Sequence, residues 1–296
     1  MSGNALPSPL WVFVWSLQSV MDKHTYCYHS EELNREKAQN ALLKLLVGVD
    51  GVSMLAVGRD GEILGLEAHQ MLRKKFDADF FSTELQELFS NREMLNLPFS
   101  RVEAAISVPA VTLVPNRLFS ADNLNTYFKL LQDPVANMVF GYEAMENHGC
   151  HLVWGADPSF QSFINRFQPK HLASFLIRKY KNRLNDAGKS VFLNVKGNQA
   201  QITFFDKSDL LFYNTFEVIK PNDLLYFVLL TYDQFRADPE SLPLQVSGSI
   251  MEDAEYYKAL YRYIGNIRFI EPDQQLNLPQ NQDKLPNHFW FDLFAM

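Results

Sequence analysis

The sequence predicts a duplicated mixed α/β fold, with two β-β-β-α-β-α halves around a central cleft. Three observations lead to this prediction. The 296 residues suggest about two domains of ordinary size. Apolar runs separated by short glycine-containing turns occur in two sets, which begin near residues 42 and 191. Hydrophobic residues make up 47% and charged residues 21% of the chain, which excludes wholesale disorder.

The first half is predicted over residues 31–168. It begins with a three-stranded meander, because Asp50-Gly51 and Asp60-Gly61 each separate two apolar runs. Asp-Gly at such a place is a strong hairpin signal, since glycine tolerates the positive φ of a tight turn. The predicted elements are strands over 42–47, 52–57, 62–67 and 102–108, a helix over 122–131, and strands over 138–142 and 151–154.

The second half is predicted over residues 169–296 and repeats this order. Ser249 and Glu252 have the spacing of a capping box and predict a helix that begins at residue 252. The apolar run over 224–230 predicts a helix that is buried on most sides. The predicted elements are strands over 191–195, 200–205 and 211–218, a helix over 222–235, a strand over 242–246, a helix over 252–264 and a strand over 267–270.

Residues 1–30 are predicted to form an N-terminal extension. Its apolar patch over 10–15 is preceded by no Lys or Arg and is too short to span a membrane, so neither a secretory signal nor membrane insertion is expected. An alternative is that residues 1–20 are an over-extended translation start and that Met21 is the initiator. Cys27 and Cys150 form no Cys-x-x-Cys pair, which indicates reduced thiols and a cytoplasmic protein.

Several common functions find no support in the sequence. A net charge of -7 argues against a dedicated nucleic-acid binder. No Gly-x-Ser-x-Gly, His-Glu-x-x-His or Gly-x-Gly-x-x-Gly motif occurs. The segment 187–190 ends like a phosphate-binding loop, but Arg183 stands where that motif needs glycine and a strand follows. The basic segment 178–183 is interpreted as a solvated helix end.

One cluster in the sequence has metal-ligand chemistry, and it consists of Glu143, Glu146, His148, Cys150 and His151. Zinc sites usually combine three or four ligands at recognisable spacings, and no second cluster accompanies this one. The segment is therefore interpreted as a hairpin with a polar loop, and no metal site is predicted.

The C-terminal segment over 288–294 is strongly apolar and follows a Gln/Asn/Pro-rich connector over 271–287. Burial of such a segment lowers the free energy by about 25 cal/mol per Å². We expect it to dock into the chain's own core, while a partner-binding tail remains an alternative.

The second half also resembles a known family. The segments 211–216, 223–229 and 261–264, together with Gly248, resemble an uncharacterised Bacteroidetes domain-of-unknown-function family. That family is associated with an actin-like ATPase fold, which consists of two ribonuclease-H-like halves around a cleft. The resemblance extends over 190–270 and, more loosely, over 40–160. It implies a bacterial cytosolic protein with this fold and implies no known activity.

The resemblance also implies where a nucleotide would bind in active relatives. The first hairpin turn of each half offers backbone N–H groups to phosphate, and an Asp near the turn holds hydrated Mg²⁺. In this chain Leu46 and Asn194 stand where those carboxylates are expected, and the third turn has one glycine instead of two. All three loops are therefore degenerate. The remaining cleft candidates, which also fit ordinary turns, are Asp50, Gly51, Lys196, Gly197 and Gly248.

These observations favour a non-catalytic pseudo-enzyme that acts as an actin-like binding or assembly module for an unknown protein partner. No catalytic residue and no cofactor are expected. One alternative is an ATPase or small-molecule kinase that binds ATP with Mg²⁺ at an unorthodox site built on Asp50 and Lys196. Another is a partner-binding protein that acts through its aromatic C-terminal tail. The oligomeric state remains open.

Overall fold

The computed structural model describes residues 25–70, 83, 85–87, 89–90, 92–129, 137–184, 188–273 and 285–296. The predicted N-terminal extension up to residue 24, with its apolar patch and Met21, lies outside these residues, as does most of the predicted connector. The strands are β1 (Thr25–His29), β2 (Leu42–Gly48), β3 (Gly51–Val57), β4 (Ile63–Gln70), β5 (Arg101–Ser107), β6 (Ala110–Pro115), β7 (Val139–Met145), β8 (Cys150–Ala156), β9 (Lys170–His171), β10 (Lys189–Lys196), β11 (Gln199–Asp206), β12 (Asp209–Glu217), β13 (Leu244–Gly248) and β14 (Ile267–Phe269).

Short and medium helices connect these strands. They are α1 (Arg35–Ala38), α2 (Leu124–Phe128), α3 (Gln161–Phe167), α4 (Leu172–Lys181), α5 (Pro221–Gln234), α6 (Glu255–Tyr261) and α7 (Phe291–Ala295). Among the described residues, no helix has both the length and the apolar character that a membrane crossing needs.

Two sheets repeat one topology, which confirms the predicted duplication. The first sheet has the order β1-β4-β3-β2-β5-β9, and the second has the order β12-β11-β10-β13-β14. In each, the first meander strand pairs antiparallel with the next strand and parallel with the strand that follows the meander: β2 with β3 and β5, and β10 with β11 and β13. The central strands β2 and β11 are largely buried on both faces, and one face of β11 carries the buried polar residues Gln199, Gln201 and Thr203.

A third sheet, of order β6-β8-β7, lies within the first half of the sequence. The sequence predicts β7 and β8, and the structure adds β6. Strand β9 and helix α4 follow this sheet along the chain, and β9 pairs with β5 of the first sheet. The predicted boundary at residue 168 stays a prediction.

Two details of the second half differ from the predictions. Helix α6 begins after Ala254, not at the predicted capping box, because the Ser249 hydroxyl donates to the carbonyl of Val195 (3.1 Å). Helix α5 is buried along one side only: Tyr226 is 60% and Leu230 is 42% exposed. Its apolar sequence therefore covers a solvent-facing side as well as the core.

The largest hydrophobic core joins the two halves of the chain. It contains the apolar residues of β2–β5 and of helix α4, and it continues to Phe192 and Phe205 of the second sheet. The C-terminal segment of residues 285–296 contributes to the same core. A second core lies between the second sheet and helices α5 and α6. The two halves therefore share one continuous hydrophobic core at the cleft between them.

Candidate functional site in the cleft between the two sheets

The β2–β3 turn and the β10–β11 turn face each other across the cleft. Asp50 lies between them, and a Cβ atom added at Gly48 would be 2.5 Å from Asp50 Oδ1. One added at Gly197 would be 2.8 Å from Asp50 Cβ. The position of Gly197 favours glycine because it also has a positive φ of 55°, whereas a side chain at Gly48 would displace the Asp50 carboxylate. The structure brings the predicted residues Asp50, Gly51, Lys196 and Gly197 to one cavity.

The third turn, which follows β13, lies beside the end of β10. Gly248 ends β13 beside Val195 and has a φ of 86°, in the left-handed region that favours glycine. The next residue, Ser249, donates its backbone N–H to the carbonyl of Val195 (2.7 Å). Gly248 itself does not line the cavity, whereas Ser249 does.

The C-terminal segment fills the space between the turns. Trp290, Phe291 and Leu293 are 0–2% exposed and belong to the core that joins the halves. Phe291 stacks on Tyr180 of helix α4 with ring centroids 5.8 Å apart. The expectation that this segment docks into the chain's own core is confirmed.

Both halves hold the segment in place. On the side of the first sheet, Trp290 contacts Tyr26 (ring centroids 4.9 Å) and the Lys44 ammonium donates to the Met296 carbonyl (2.8 Å). On the side of the second sheet, His288 Nε2 lies 2.8 Å from the Ile250 carbonyl. The segment thus links the two sheets directly.

Asp292 is the residue by which this segment meets the two turns. Its side chain is 8% exposed, and Asn194 Nδ2 donates to Asp292 Oδ1 over 2.6 Å. Lys196 Nζ lies 3.7 Å from Asp292 Oδ2. Asn194 also donates to Ser247 Oγ (3.0 Å), which is 3.3 Å from the hydroxyl of Tyr180. The carboxylate therefore belongs to a buried polar network.

The charges in this network are one ammonium and two carboxylates. Burial would lower the pKa of the Lys196 ammonium, but the negative charges of Asp50 and Asp292 outweigh it and raise that pKa. Burial raises the pKa of the Asp292 carboxyl, and the attraction of Lys196 and the hydrogen bond from Asn194 compensate only in part. Lys196 therefore stays protonated at neutral pH, whereas ionisation of Asp292 is less favourable than that of an exposed Asp.

These residues do not fit a magnesium nucleotide. Leu46 is fully buried and offers no oxygen, and Asn194 uses its amide N–H on Asp292. The remaining cavity is about 50 Å³, whereas pockets for small ligands are typically about 300–1,000 Å³. The C-terminal segment, with the carboxylate of Asp292 at the two turns, therefore closes the cleft in this structure.

Sequence reasoning missed Asp292, although the sequence carries a signal for it. Asp292 is the one carboxylate within the apolar segment 288–294. A charge in a segment that docks into a core needs a buried partner of opposite charge or several hydrogen-bond donors. Lys196 and Asn194 provide both.

The predicted cluster near the β7–β8 hairpin is dispersed in the structure. Glu143 accepts from the backbone N–H of His171 (2.5 Å), and His151 stacks on Phe119 (ring centroids 3.7 Å). His148 lies in a 3-10 turn and β8 begins only at Cys150, so these two side chains do not share a strand face. Glu146 lies in the same turn. The hairpin interpretation is confirmed.

The basic segment 178–183, which covers the C-terminal end of α4, is only partly solvated. Tyr180 is fully buried, while Lys179 and Arg183 both pair with Asp273. The interpretation of this segment as a solvated helix end is therefore wrong for Tyr180, which packs on Phe192 with ring centroids 4.2 Å apart.

Comparison with known proteins identifies the family. The family model "Protein of unknown function (DUF3822)" matches residues 30–267. The chain belongs to this family. No curated protein matches it.

Solved structures identify the fold. A Bacteroides thetaiotaomicron protein with an actin-like ATPase fold and unknown function is similar at a TM-score of 0.71 and 18% identity, over 80% of this chain and 93% of that one. The PilM–PilN type IV pilus biogenesis complex contains a chain similar at a TM-score of 0.53 and 11% identity, over 88% of this chain and 98% of that one. The actin-like fold that the resemblance implied is confirmed.

Proposed function

We propose that this protein is a non-catalytic actin-like module of the bacterial cytosol that binds another protein and does not turn over nucleotide. The observation that carries the proposal is the position of Asp292, whose carboxylate contacts Asn194 and Lys196 at the second hairpin turn. In this fold the two hairpin turns are the phosphate-binding elements of active members, so the chain's own anion occupies the region of a phosphate.

Electrostatics support the exclusion of nucleotide. A bound phosphate would have to replace Asp292 beside Lys196, and Asp50 would still lie next to it. Two like charges in a buried site repel strongly because the effective dielectric constant is low. Leu46 offers no ligand to a magnesium ion that would offset this repulsion. ATP with Mg²⁺ is thus a poor ligand for this cleft.

The surface of the second half supports a binding role. Most of the exposed large apolar side chains of the described residues lie there; they are Leu211, Ile219, Tyr226, Leu230, Tyr261 and Tyr263. Tyr226 and Leu230 lie on α5 and Tyr261 lies on α6, two helices that contact each other, and apolar groups exposed on neighbouring elements occur at protein-binding sites. The PilM–PilN complex is an example of this fold in a protein assembly. The aromatic tail is a weaker candidate for partner binding, because its side chains are buried.

The test is a thermal-unfolding measurement with and without millimolar Mg-ATP or Mg-ADP. A ligand at 100 times its Kd stabilises the folded state by about 2.7 kcal/mol, which corresponds to a shift of about 5 °C in a chain of this size. We expect no shift for the wild-type protein.

The matched controls are Asp50→Ala and Lys196→Ala. If the wild-type protein shifts and Asp50→Ala abolishes the shift, the proposal is wrong and the ATPase or kinase alternative replaces it. If nucleotide leaves the melting temperature of each of the three proteins unchanged, the pseudo-enzyme proposal stands. Hydrolysis of ATP by the wild-type protein that both variants lose would also contradict it.

A further inference from the structure

Four side chains with metal-ligand chemistry lie together on the first sheet, outside the cleft. Cys27 and His29 belong to β1, and Glu67 and His69 belong to β4. The two strands pair antiparallel with Cys27 opposite Glu67. Because alternate residues of a strand share a face, all four side chains lie on the same face of the sheet. None of these four residues belongs to the cluster that the sequence predicts, since 38 residues separate His29 from Glu67 along the chain.

The ligand atoms are already close together. Cys27 Sγ is 3.8 Å from His29 Nε2, and His29 Nε2 is 2.7 Å from Glu67 Oε1. These three atoms all lie within 4.8 Å of one another. The other carboxylate oxygen, Glu67 Oε2, is 2.7 Å from His69 Nε2.

The carboxylate in this cluster is buried. The side chain of Glu67 is 2% exposed, and that of His69 is 4% exposed. The Glu67 carboxylate lies beside a thiol and an imidazole that solvent can reach, since Cys27 is exposed and His29 is 29% exposed.

We propose that Cys27 Sγ, His29 Nε2 and Glu67 Oε1 form a zinc-binding site on this face of the first sheet, with His69 as a positioning residue. This inference does not rest on the proposed function, because the cluster shares no ligand atom with the cleft. Nothing in the arrangement requires nucleotide.

The distances fit a tetrahedral ion after a small adjustment. Zn²⁺ lies about 2.3 Å from sulfur and about 2.0–2.2 Å from nitrogen and oxygen, so neighbouring ligand atoms are about 3.3–3.6 Å apart. The Cys27–His29 separation of 3.8 Å is close to this value. The His29–Glu67 separation of 2.7 Å has to open by about 0.6–0.7 Å, and His29 has room to move because its imidazole is 29% exposed.

The ligand set selects the class of metal. Thiolate and imidazole together favour zinc and similar transition metals over Mg²⁺ and Ca²⁺, which prefer oxygen ligands. Three protein ligands leave one position of a tetrahedral ion for water or for a ligand from a partner. His69 would act through Glu67, because a hydrogen bond to the second carboxylate oxygen fixes the orientation of the first.

Binding changes the protonation of the site in a defined way. The Cys27 thiol loses its proton to solvent as the sulfur–zinc bond forms. His29 Nε2 donates to Glu67 in the absence of metal; on binding, the proton on Nε2 is lost to solvent, Nδ1 carries the one proton of the neutral imidazole, and Nε2 donates its electron pair to zinc. No oxidation or reduction takes place.

The test uses the full-length, tag-free protein after treatment with a chelator. Titration with Co²⁺ should give the thiolate-to-cobalt charge-transfer band in the near ultraviolet and the strong visible bands of a tetrahedral ion. Zn²⁺ should then displace cobalt at one ion per chain. We expect Cys27→Ser to abolish the charge-transfer band and to weaken zinc binding by about 100-fold or more.

A matched control and a conservative variant keep this test decisive. Cys150→Ser removes the other cysteine, which is buried on β8, and should leave the band and the zinc affinity unchanged. His69→Gln should keep the band and weaken zinc binding by about 10–100-fold. Near-ultraviolet circular dichroism checks that each variant is folded. The proposal is overturned if the wild-type protein shows no band, if the band persists in Cys27→Ser, or if it disappears in Cys150→Ser.

Discussion

Two buried carboxylates of this protein, Asp292 in the cleft and Glu67 on the first sheet, have opposite surroundings. Asp292 faces Lys196 and Asn194 but also a second carboxylate, Asp50, and its pKa is raised. Glu67 faces two imidazoles, and its pKa is lowered. Both side chains are almost inaccessible to solvent. Burial alone therefore does not decide whether a carboxylate stays charged, and the partners do.

The difference indicates two different uses of a buried negative charge. Asp292 belongs to a segment that links the two sheets, and its contacts with Asn194 and Lys196 fix that segment at the hairpin turns. Glu67 has two imidazole partners: His29, which is 29% exposed and lies beside the exposed Cys27, and His69, which is buried. The first arrangement closes a site, whereas the second is suited to hold a cation.

The largest effect is expected from a substitution in the segment that carries Asp292. Phe291→Ala should lower the free energy of unfolding by about 3–5 kcal/mol, because Phe291 is fully buried against Tyr180 and Arg183. Urea-induced unfolding measures this change. Tyr261→Ala is the control, since Tyr261 is 67% exposed and should cost less than about 0.5 kcal/mol.

Equal stability of these two variants would contradict the role of the C-terminal segment as core. The alternative of a partner-binding tail would then be favoured. Asp292 would no longer be a carboxylate held in the core, and its comparison with Glu67 would not apply.

A smaller effect is expected at the two buried carboxylates themselves. The stability that each contributes should change with pH in opposite directions. Glu67→Gln should cost about 1–3 kcal/mol near neutral pH, because two imidazoles lose their acceptor charge. The lowered pKa of Glu67 stabilises the folded protein above the unfolded value of 4.5, and this contribution is lost as the pH falls. The raised pKa of Asp292 acts in reverse: its contribution is present below 3.8 and is lost as the pH rises.

Urea unfolding at several pH values between about 3 and 6 measures both trends, with Glu67 titrating below its unfolded value and Asp292 above its own. As the pH rises, the wild-type protein should gain stability relative to Glu67→Gln and lose stability relative to Asp292→Asn. Trends of the same sign for both variants would show that the two carboxylates do not differ as described.

Much of the fold follows from local patterns in the sequence. The meander strands β2–β4 and β10–β12 alternate with short turns, which contain Asp50-Gly51, Asp60-Gly61, Lys196-Gly197 and Lys207-Ser208, and each turn is a local property of a few residues. The order of these elements was enough to predict two similar halves. Helix α6 shows the limit of this reasoning, since Ser249 has a capping-box partner in the sequence but contacts Val195 in the structure.

The two sites depend on contacts that local patterns do not contain. Asn194 and Asp292 are 98 residues apart, and His29 and Glu67 are 38 residues apart. Strand β1 was placed in an extension outside the fold, so its pairing with β4 and the resulting cluster were not predicted. Cys150, by contrast, has neighbours in sequence with metal-ligand chemistry, yet the turn before β8 separates them. Proximity along the chain was therefore a poor guide to proximity in space.

The smallest effect is expected at an exposed carboxylate, Asp273, which provides the reference for the buried two. It pairs with Lys179 (2.5 Å) and Arg183, and its side chain is 61% exposed. Asp273→Asn should cost less than about 1 kcal/mol, because solvent screens an exposed ion pair, and the loss should decrease as salt is added. Urea unfolding at low and high salt measures it. A loss of stability as large as that of Glu67→Gln, and insensitive to salt, would mean that burial does not set the strength of these interactions. The three carboxylates would then differ only in the identity of their partners.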